Sequence, residues 1–165
     1  MAAITLHGDA INTNGELPAV GNTAPDFSLT TGDLADVSLA DYSGKKKLLN
    51  LVPSLDTDVC AISTKKFNDA ANKHGNTVFL TISADLPFAQ GRFCEAENIE
   101  AVKTLSSFRA PTFAEDYGVL IVDGPLKGLN ARAIVVLDED NKVLYTELVP
   151  EIAQEPDYDA ALAVL

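Results

Sequence analysis

The sequence predicts an α/β sandwich built on a mixed β-sheet, and three features of its hydrophobic pattern predict it. Apolar strand-like runs alternate with helix-like segments through much of the chain, which favours parallel strands joined by helices. Two later strand-like runs are separated only by a short polar turn, which favours an antiparallel pair. A helix-like segment follows them. The 165 residues contain no repeat or linker, so one domain covering residues 1–165 is expected.

The first part of the chain is predicted to hold a hairpin and a buried strand. Strands at Ile4–Leu6 and Leu17–Val20 flank Asn12–Gly15, a segment rich in turn-forming residues. Lys47–Val52 is an apolar run that Pro53 ends, and this pattern is typical of a strand buried on both faces.

The next part of the chain is predicted to form a helix, a strand and a second helix. Helical periodicity begins near Thr57, and Gly75 is expected to end that helix. Thr77–Ser83 has the pattern of a strand. Pro87–Asn98 is predicted to be helical, with Gly91 as its weak point.

The last part of the chain is predicted to hold three strands and a helix. Ala101–Leu105 is a short strand candidate. Ala131–Leu137 and Lys142–Leu148 are predicted strands, and Asp138–Asn141 joins them as a turn. Pro156–Leu162 is expected to be helical, because proline and acidic residues fill its first turn.

Composition and charge exclude several classes of function. The chain carries 24 acidic and 12 basic residues, a net charge of −12, so the phosphates of a nucleic acid would repel it. No run approaches the roughly 18 consecutive apolar residues that a membrane span needs. The N-terminal residues lack the basic and apolar regions of a secretion signal. We therefore expect a cytoplasmic protein that binds neither nucleic acid nor membrane.

The two cysteines, Cys60 and Cys94, are the main candidates for chemistry. Two cysteines alone cannot form a tetrahedral zinc site, and the two histidines, His7 and His74, show no ligand spacing. Neither a metal nor another cofactor is therefore expected. In a cytoplasmic protein a cysteine pair is more often catalytic or redox-sensing than structural.

Cys60 follows a strand that ends at Pro53 and lies where a helix is predicted to begin. The free N–H groups and the dipole of a helix N-terminus favour a thiolate over a thiol. Thr57 precedes Cys60 by three residues, which places its hydroxyl on the same side of the helix as the sulfur. The residues alone also permit Thr57 or Asp56 to be only a helix cap and Cys60 to be a small buried hydrophobic residue.

The spacing of Pro53, Thr57 and Cys60 resembles the active-site signature of peroxiredoxins. In that signature three residues separate the proline from the threonine, and two separate the threonine from the cysteine. The resemblance covers nearly the whole chain and is similar in detail to one subfamily, the bacterial thiol peroxidases, which are atypical 2-Cys peroxiredoxins. Four further segments fit it: Gly21–Phe27, Arg92–Cys94, Asn130–Arg132 and Tyr145–Ile152.

The resemblance implies a thioredoxin-like fold, with a central mixed sheet flanked by helices and an N-terminal β-hairpin. It implies an antioxidant enzyme that reduces hydrogen peroxide and alkyl hydroperoxides. Cys60 matches the peroxidatic cysteine, which becomes a sulfenic acid, and Cys94 matches the resolving cysteine, which forms a disulfide with it. Thr57, Arg132 and Pro53 match the other active-site residues. Re-reduction by thioredoxin and a homodimer are implied as well.

The sequence departs from the subfamily pattern near Cys94, because Asn98 stands where glycine is common. This departure touches no residue matched to the chemistry. An apolar rim that favours alkyl hydroperoxides is also suggested by five hydrophobic residues: Leu55, Phe88, Phe93, Val119 and Leu120.

Two alternative functions are considered. A thiol–disulfide oxidoreductase on the same fold would carry a second cysteine three residues before Cys60, where Thr57 stands, and this argues against it. A non-enzymatic redox sensor that signals through a Cys60–Cys94 disulfide is compatible with the sequence. Catalytic turnover with a hydroperoxide and thioredoxin distinguishes an enzyme from such a sensor.

Overall fold

The computed structural model describes residues 1–165 and contains nine strands, four α-helices and one short 3₁₀ helix at Leu39–Tyr42. The strands are β1 (Ala3–Leu6), β2 (Asp9–Asn12), β3 (Leu29–Thr30), β4 (Asp36–Val37), β5 (Lys46–Leu51), β6 (Thr77–Ser83), β7 (Val102–Ser106), β8 (Ala133–Leu137) and β9 (Val143–Leu148). The helices are α1 (Asp58–Ala71), α2 (Pro87–Glu97), α3 (Phe113–Asp116) and α4 (Tyr158–Leu162). None of these helices is both long enough and apolar enough to cross a membrane.

Seven strands form one mixed sheet in the order β4-β3-β7-β6-β5-β8-β9. Strands β5, β6 and β7 are parallel, and α1 and α2 connect them. Strand β8 runs antiparallel to β5, and β9 runs antiparallel to β8. Strands β1 and β2 form a separate hairpin. The predicted mixed α/β sandwich with an N-terminal hairpin is therefore confirmed.

Hydrophobic side chains cover both faces of the central strands. On β5, Leu49 and Leu51 join a core cluster of 22 residues, whereas Leu48 joins a cluster of eight residues on the other face. Helices α1, α2 and α4 pack on the side of the smaller cluster, to which they contribute side chains such as Phe67 and Ala161. Burial on both faces explains why the central strands are almost continuously apolar rather than alternating.

The hairpin differs from the predicted one in its second strand and its turn. Strand β2 is Asp9–Asn12, and the turn consists of His7 and Gly8, which both have positive φ angles of 51° and 88°. A two-residue turn with two positive φ angles matches the twist of paired strands. The predicted turn at 12–15 was wrong, because the side chain of Asn14 instead bonds the backbone of Glu115 and Leu120.

Several element ends also differ from the prediction. Helix α1 ends at Ala71, with Asn72 as its C-cap, so Gly75 does not end it. Strand β8 begins at Ala133, and Arg132 lies immediately before it. Helix α2 continues through Gly91. The short elements β3, β4, α3 and the 3₁₀ helix were not predicted, since two to four residues carry too little periodic signal.

Candidate active site

The candidate residues meet at one end of the sheet, beside the C-terminal ends of its parallel strands. The segment from Pro53 to Thr57 follows β5. Strand β8, which pairs with β5 in antiparallel orientation, begins just after Arg132. Leu51 at the end of β5 pairs with Ala133 at the start of β8. Because of this antiparallel pairing, the C-terminal end of β5 and the N-terminal end of β8 present their adjoining residues at the same end of the sheet.

Cys60 is the third residue of helix α1, and its side chain is fully buried. The first backbone hydrogen bond of the helix runs from Ala61 N–H to the Thr57 carbonyl. The N–H groups of residues 58–60 therefore have no partner within the helix. Their partial positive charge favours an anion at the Cys60 sulfur. The prediction that Cys60 lies in the first turn of a helix is confirmed.

Arg132 lies beside Cys60 in the protein interior, with an exposed fraction of only 1%. Its Nη1 donates to Cys60 Sγ at 3.2 Å, and its Nε donates to the carbonyl oxygen of Ile152 at 2.8 Å. The three salt bridges of the protein involve other residues. A buried cation without a carboxylate partner is costly, and the side-chain atom that accepts a hydrogen bond from this guanidinium is the sulfur of Cys60.

Thr57 is the N-cap residue of α1, but its hydroxyl donates to the carbonyl of Ser54 at 2.9 Å. A hydroxyl has one proton, so this contact excludes simultaneous donation to the sulfur of Cys60. Pro53 is buried next to the same segment. The structure thus brings Pro53, Thr57, Cys60 and Arg132 together, with the Thr57 hydroxyl turned to the backbone.

A cavity of about 440 Å³ opens above this group and is lined by Pro53, Thr57 and Arg132 together with apolar side chains. The main apolar walls come from four parts of the chain: Leu6 of the hairpin, Val59 of α1, Leu126 with Leu129, and Ile152. The five-residue apolar rim expected from the sequence does not form the walls of this cavity, although Leu55 and Phe93 pack with Cys60 in a small cluster. None of the five lines this cavity: Phe88 is 68% exposed, for example, and Val119 is buried in the core. The actual walls were missed because they come from segments distant in sequence.

Glu151 holds one wall of the cavity in place. Its carboxylate accepts hydrogen bonds from the Thr5 hydroxyl and from the N–H groups of His7 (2.8 Å), Gly8 (3.2 Å) and Ala153 (3.2 Å). These donors, the Thr5 hydroxyl above all, lower the pKa of Glu151 to about 2. The hairpin turn and the segment that bonds Arg132 are therefore joined.

Cys94 occupies the last turn of α2 and is half-buried. Its thiol donates weakly to Thr104 Oγ1 on β7 at 3.8 Å. Burial raises the pKa of this thiol, and the contact with Thr104 offsets only part of that effect. Both cysteines are free thiols, and the residue that packs against the Cys60 cluster is Phe93, the neighbour of Cys94. Asn98 caps α2 with a positive φ of 55°, the conformation that also favours glycine.

Residues 19–162 match the family model described as Redoxin. The thiol peroxidase of Mycobacterium tuberculosis (strain ATCC 25618 / H37Rv) is 61% identical over 165 residues, which cover 100% of this chain and 99% of that protein. The chain belongs to the redoxin family, and it is a thiol peroxidase. The sequence resemblance to peroxiredoxins is thereby confirmed.

Solved structures agree with this assignment. A peroxiredoxin-like protein from Aquifex aeolicus superimposes on this thiol peroxidase with a TM-score of 0.93 and 40% identity, covering 99% of this chain and 95% of that one. A thiol peroxidase from Chromobacterium violaceum gives a TM-score of 0.90 and 25% identity, covering 96% and 91%. The matched family region begins after the hairpin, although the hairpin supplies part of the cavity wall.

Proposed function

We propose that this thiol peroxidase reduces hydrogen peroxide and alkyl hydroperoxides through a Cys60 thiolate, which then forms an intramolecular disulfide with Cys94. The observation that carries the proposal is the contact of 3.2 Å between Arg132 Nη1 and Cys60 Sγ at the start of α1. A cation and a helix N-terminus act on the same buried sulfur and favour its anionic form.

In the first step, the Cys60 thiolate attacks the terminal oxygen of the hydroperoxide. An S–O bond forms and the O–O bond breaks, so the sulfur is oxidised to a sulfenic acid and the peroxide is reduced. The leaving oxygen carries off the electron pair of the broken bond and takes a proton to become water or an alcohol. The apolar walls of the cavity support access of alkyl hydroperoxides as well as hydrogen peroxide.

Arg132 has two roles in this step. Its guanidinium favours the thiolate before the attack, and it donates to the oxygen on which negative charge develops. The Nε–H bond to Ile152 fixes the orientation of the guanidinium without using Nη1. Pro53, which is buried and lacks an N–H, shields the sulfur from water. Thr57 supports the same site through its hydroxyl, which reorients from Ser54 toward a bound peroxide oxygen.

In the second step, the Cys94 thiolate attacks the sulfenic sulfur. An S–S bond forms, the S–O bond breaks, and the hydroxide released takes a proton to become water. A disulfide requires Cα atoms within about 7 Å, whereas Cys94 packs on the sheet and faces Thr104. Local unwinding of α2 would bring it to Cys60.

The catalytic cycle closes when a dithiol reduces the disulfide, and we propose thioredoxin as that reductant. Exchange with a dithiol restores both cysteines and transfers the disulfide to the reductant. We further propose a cytoplasmic homodimer, in line with the family.

The test compares Cys60→Ser and Cys94→Ser with the wild type in hydroperoxide consumption. Cys60→Ser should lose turnover, because a hydroxyl at this site cannot act as the nucleophile. Cys94→Ser should consume about one equivalent and then stall as a sulfenic acid that overoxidises. Mass spectrometry of the oxidised wild type should show one intrachain disulfide.

Two results would refute the proposal. Turnover by Cys60→Ser would remove Cys60 from its role, and an exclusively intermolecular bridge would remove Cys94 from its role. Turnover of the wild type with thioredoxin as the only reductant would support an enzyme rather than a redox sensor.

A further inference from the structure

Asp85 lies between the two cysteine-bearing elements and belongs to neither. It follows β6 and precedes α2, and its half-buried carboxylate accepts three hydrogen bonds. One oxygen accepts from Ser54 Oγ at 2.7 Å. The other accepts from the N–H of Leu55 at 2.8 Å and from Ser83 Oγ at 2.7 Å. Both oxygens of one carboxylate therefore hold the loop that leads to Cys60.

On the Cys60 side, the bonds to Ser54 and Leu55 act close to the sulfur. Leu55 is 4% exposed and packs in a small cluster with Val52 and Cys60. Fixing the N–H of Leu55 therefore fixes a side chain in contact with the reacting residue. The backbone of Asp85 is held in turn, because its carbonyl accepts from the hydroxyl of Ser106.

On the Cys94 side, Ser83 extends the connection into α2. Gln90 is fully buried, and its Nε2 donates to Ser83 Oγ at 3.0 Å and to the carbonyl of Leu105 at 2.9 Å. The first turn of α2 is thus tied to the sheet and, through Ser83, to Asp85. The next residue is Gly91, where an added Cβ would meet nothing within 4 Å.

We propose that Asp85 is a positioning residue for disulfide formation, because it fixes the Cys60 loop and the first turn of the Cys94 helix to one point. This inference rests on the proposed function. The part of α2 before Gly91 is anchored, so only the part from Gly91 onward unwinds to deliver Cys94. A fixed anchor confines Cys94 to a small volume near Cys60 and so raises its effective concentration there.

The step that Asp85 assists is the condensation of the Cys94 thiolate with the Cys60 sulfenic acid, which releases water and needs no further oxidant. Asp85 touches neither sulfur and takes no part in bond making. Peroxide attack depends instead on the N-terminus of α1 and on Arg132, whose hydrogen bonds go to Ile152 and Cys60 and not to Asp85. The two steps should therefore respond differently to its loss.

The experiment measures both steps in Asp85→Asn after mixing the reduced protein with hydrogen peroxide. Samples are quenched with acid at successive times, and mass spectrometry counts sulfenic acid and intrachain disulfide. Asp85→Asn replaces one acceptor oxygen by an amide, which cannot accept the bonds made there. The rate of disulfide formation should fall roughly tenfold, while the rate of sulfenic acid formation changes much less. Sensitivity to overoxidation should rise in proportion.

Asp138→Asn is the matched control. Asp138 also accepts two backbone N–H bonds, from Asp140 and Lys142. It lies in the turn between β8 and β9, at the end of these strands that is opposite the Cys60 site. Its substitution should leave both rates unchanged. Gln90→Met removes the hydrogen bonds from Gln90 to Ser83 and Leu105 and keeps a side chain of similar bulk. Combined with Asp85→Asn, it should slow disulfide formation by less than the product of the two single effects.

An unchanged disulfide rate in Asp85→Asn would overturn the inference while leaving the proposed function intact. Equal slowing of both steps, or full additivity with Gln90→Met, would also overturn it, because either result indicates general loosening of the fold. Failure of the wild type to form the intrachain disulfide would refute the proposed function itself, and the inference with it.

Discussion

The two cysteines occupy opposite ends of two similar helices, and their surroundings differ accordingly. Cys60 lies in the first turn of α1, is fully buried and accepts a hydrogen bond from the Arg132 guanidinium. Cys94 lies in the last turn of α2, where the helix dipole disfavours an anion, and its side-chain hydrogen bond goes to the hydroxyl of Thr104. The less accessible sulfur is thus the one whose surroundings favour the reactive form.

This difference shows that burial alone does not decide whether a cysteine is inert. Burial raises the pKa of Cys94 and so favours its protonated form. Cys60 is buried as well, but its sulfur accepts a hydrogen bond from the Arg132 guanidinium and lies in the first turn of α1. Under the proposed function, this comparison predicts an order of events in which Cys94 leaves its place beside Thr104 before it attacks the sulfur of Cys60.

The largest expected effect comes from removing the cation at Cys60. Arg132→Met should slow peroxide reduction by at least about 100-fold, because it removes both a thiolate partner and a donor to the leaving oxygen. Thiolate absorbance at neutral pH should fall as well. Arg132→Lys keeps the charge but loses the planar fork of donors, so it should restore the absorbance better than the rate.

Arg109→Met is the control for that prediction, since Arg109 forms an exposed ion pair with Asp36. Exposed pairs contribute little to stability and Arg109 makes no hydrogen bond to Cys60, so the activity of this variant should match the wild type. Urea denaturation should show that the Arg132→Met protein is folded. If that folded protein keeps the thiolate absorbance and the peroxide reduction rate of the wild type, the role of Arg132 is contradicted.

A smaller effect is expected from stiffening the helix that carries Cys94. Gly91 is exposed within α2, and alanine fits there without contact. Alanine stabilises a helix interior by about 0.8–1.0 kcal/mol over glycine, so Gly91→Ala should slow disulfide formation about fivefold if α2 must unwind. Peroxide attack at Cys60 should be unaffected, as followed by the same acid-quench measurement.

Gly75→Ala provides the matched comparison, because Gly75 lies between α1 and β6 and an added Cβ again meets nothing within 4 Å. This change should leave the disulfide rate as it is in the wild type. Equal rates in Gly91→Ala and the wild type would show that Cys94 reaches Cys60 without unwinding at Gly91.

The smallest expected effect is on stability and concerns Glu151, which anchors the hairpin that forms part of the cavity wall. The pKa of Glu151 is lowered to about 2 from an ordinary value of about 4.5. Its contribution to stability is therefore complete above pH 4.5 and is lost as the pH falls from about 4.5 through about 2. Unfolding free energies measured across this range should show that loss in the wild type and not in Glu151→Gln. If the unfolding free energies of the two proteins depend on pH in the same way, the carboxylate of Glu151 does not anchor the hairpin.

The sequence predicted the parts of the site that are local and missed the parts that are assembled at long range. The position of Cys60 follows from a buried strand, a proline and a helix start within one short segment. The contact with Arg132 depends on the pairing of β5 with β8, which hydrophobic periodicity does not specify, so only the family resemblance indicated it. The cavity walls at Leu6 and Ile152, and the Asp85 connection, left no local pattern.

The fastening of the hairpin by Glu151 also has a consequence for protein synthesis. A ribosome releases Cys60 and the whole of α1 well before Glu151 and Ile152. An incomplete nascent chain therefore lacks the carbonyl that orients Arg132 and the contacts that close the cavity wall. Under the proposed function, the surroundings of the Cys60 sulfur are therefore complete only after Glu151 and Ile152 have been synthesised and the hairpin has been anchored.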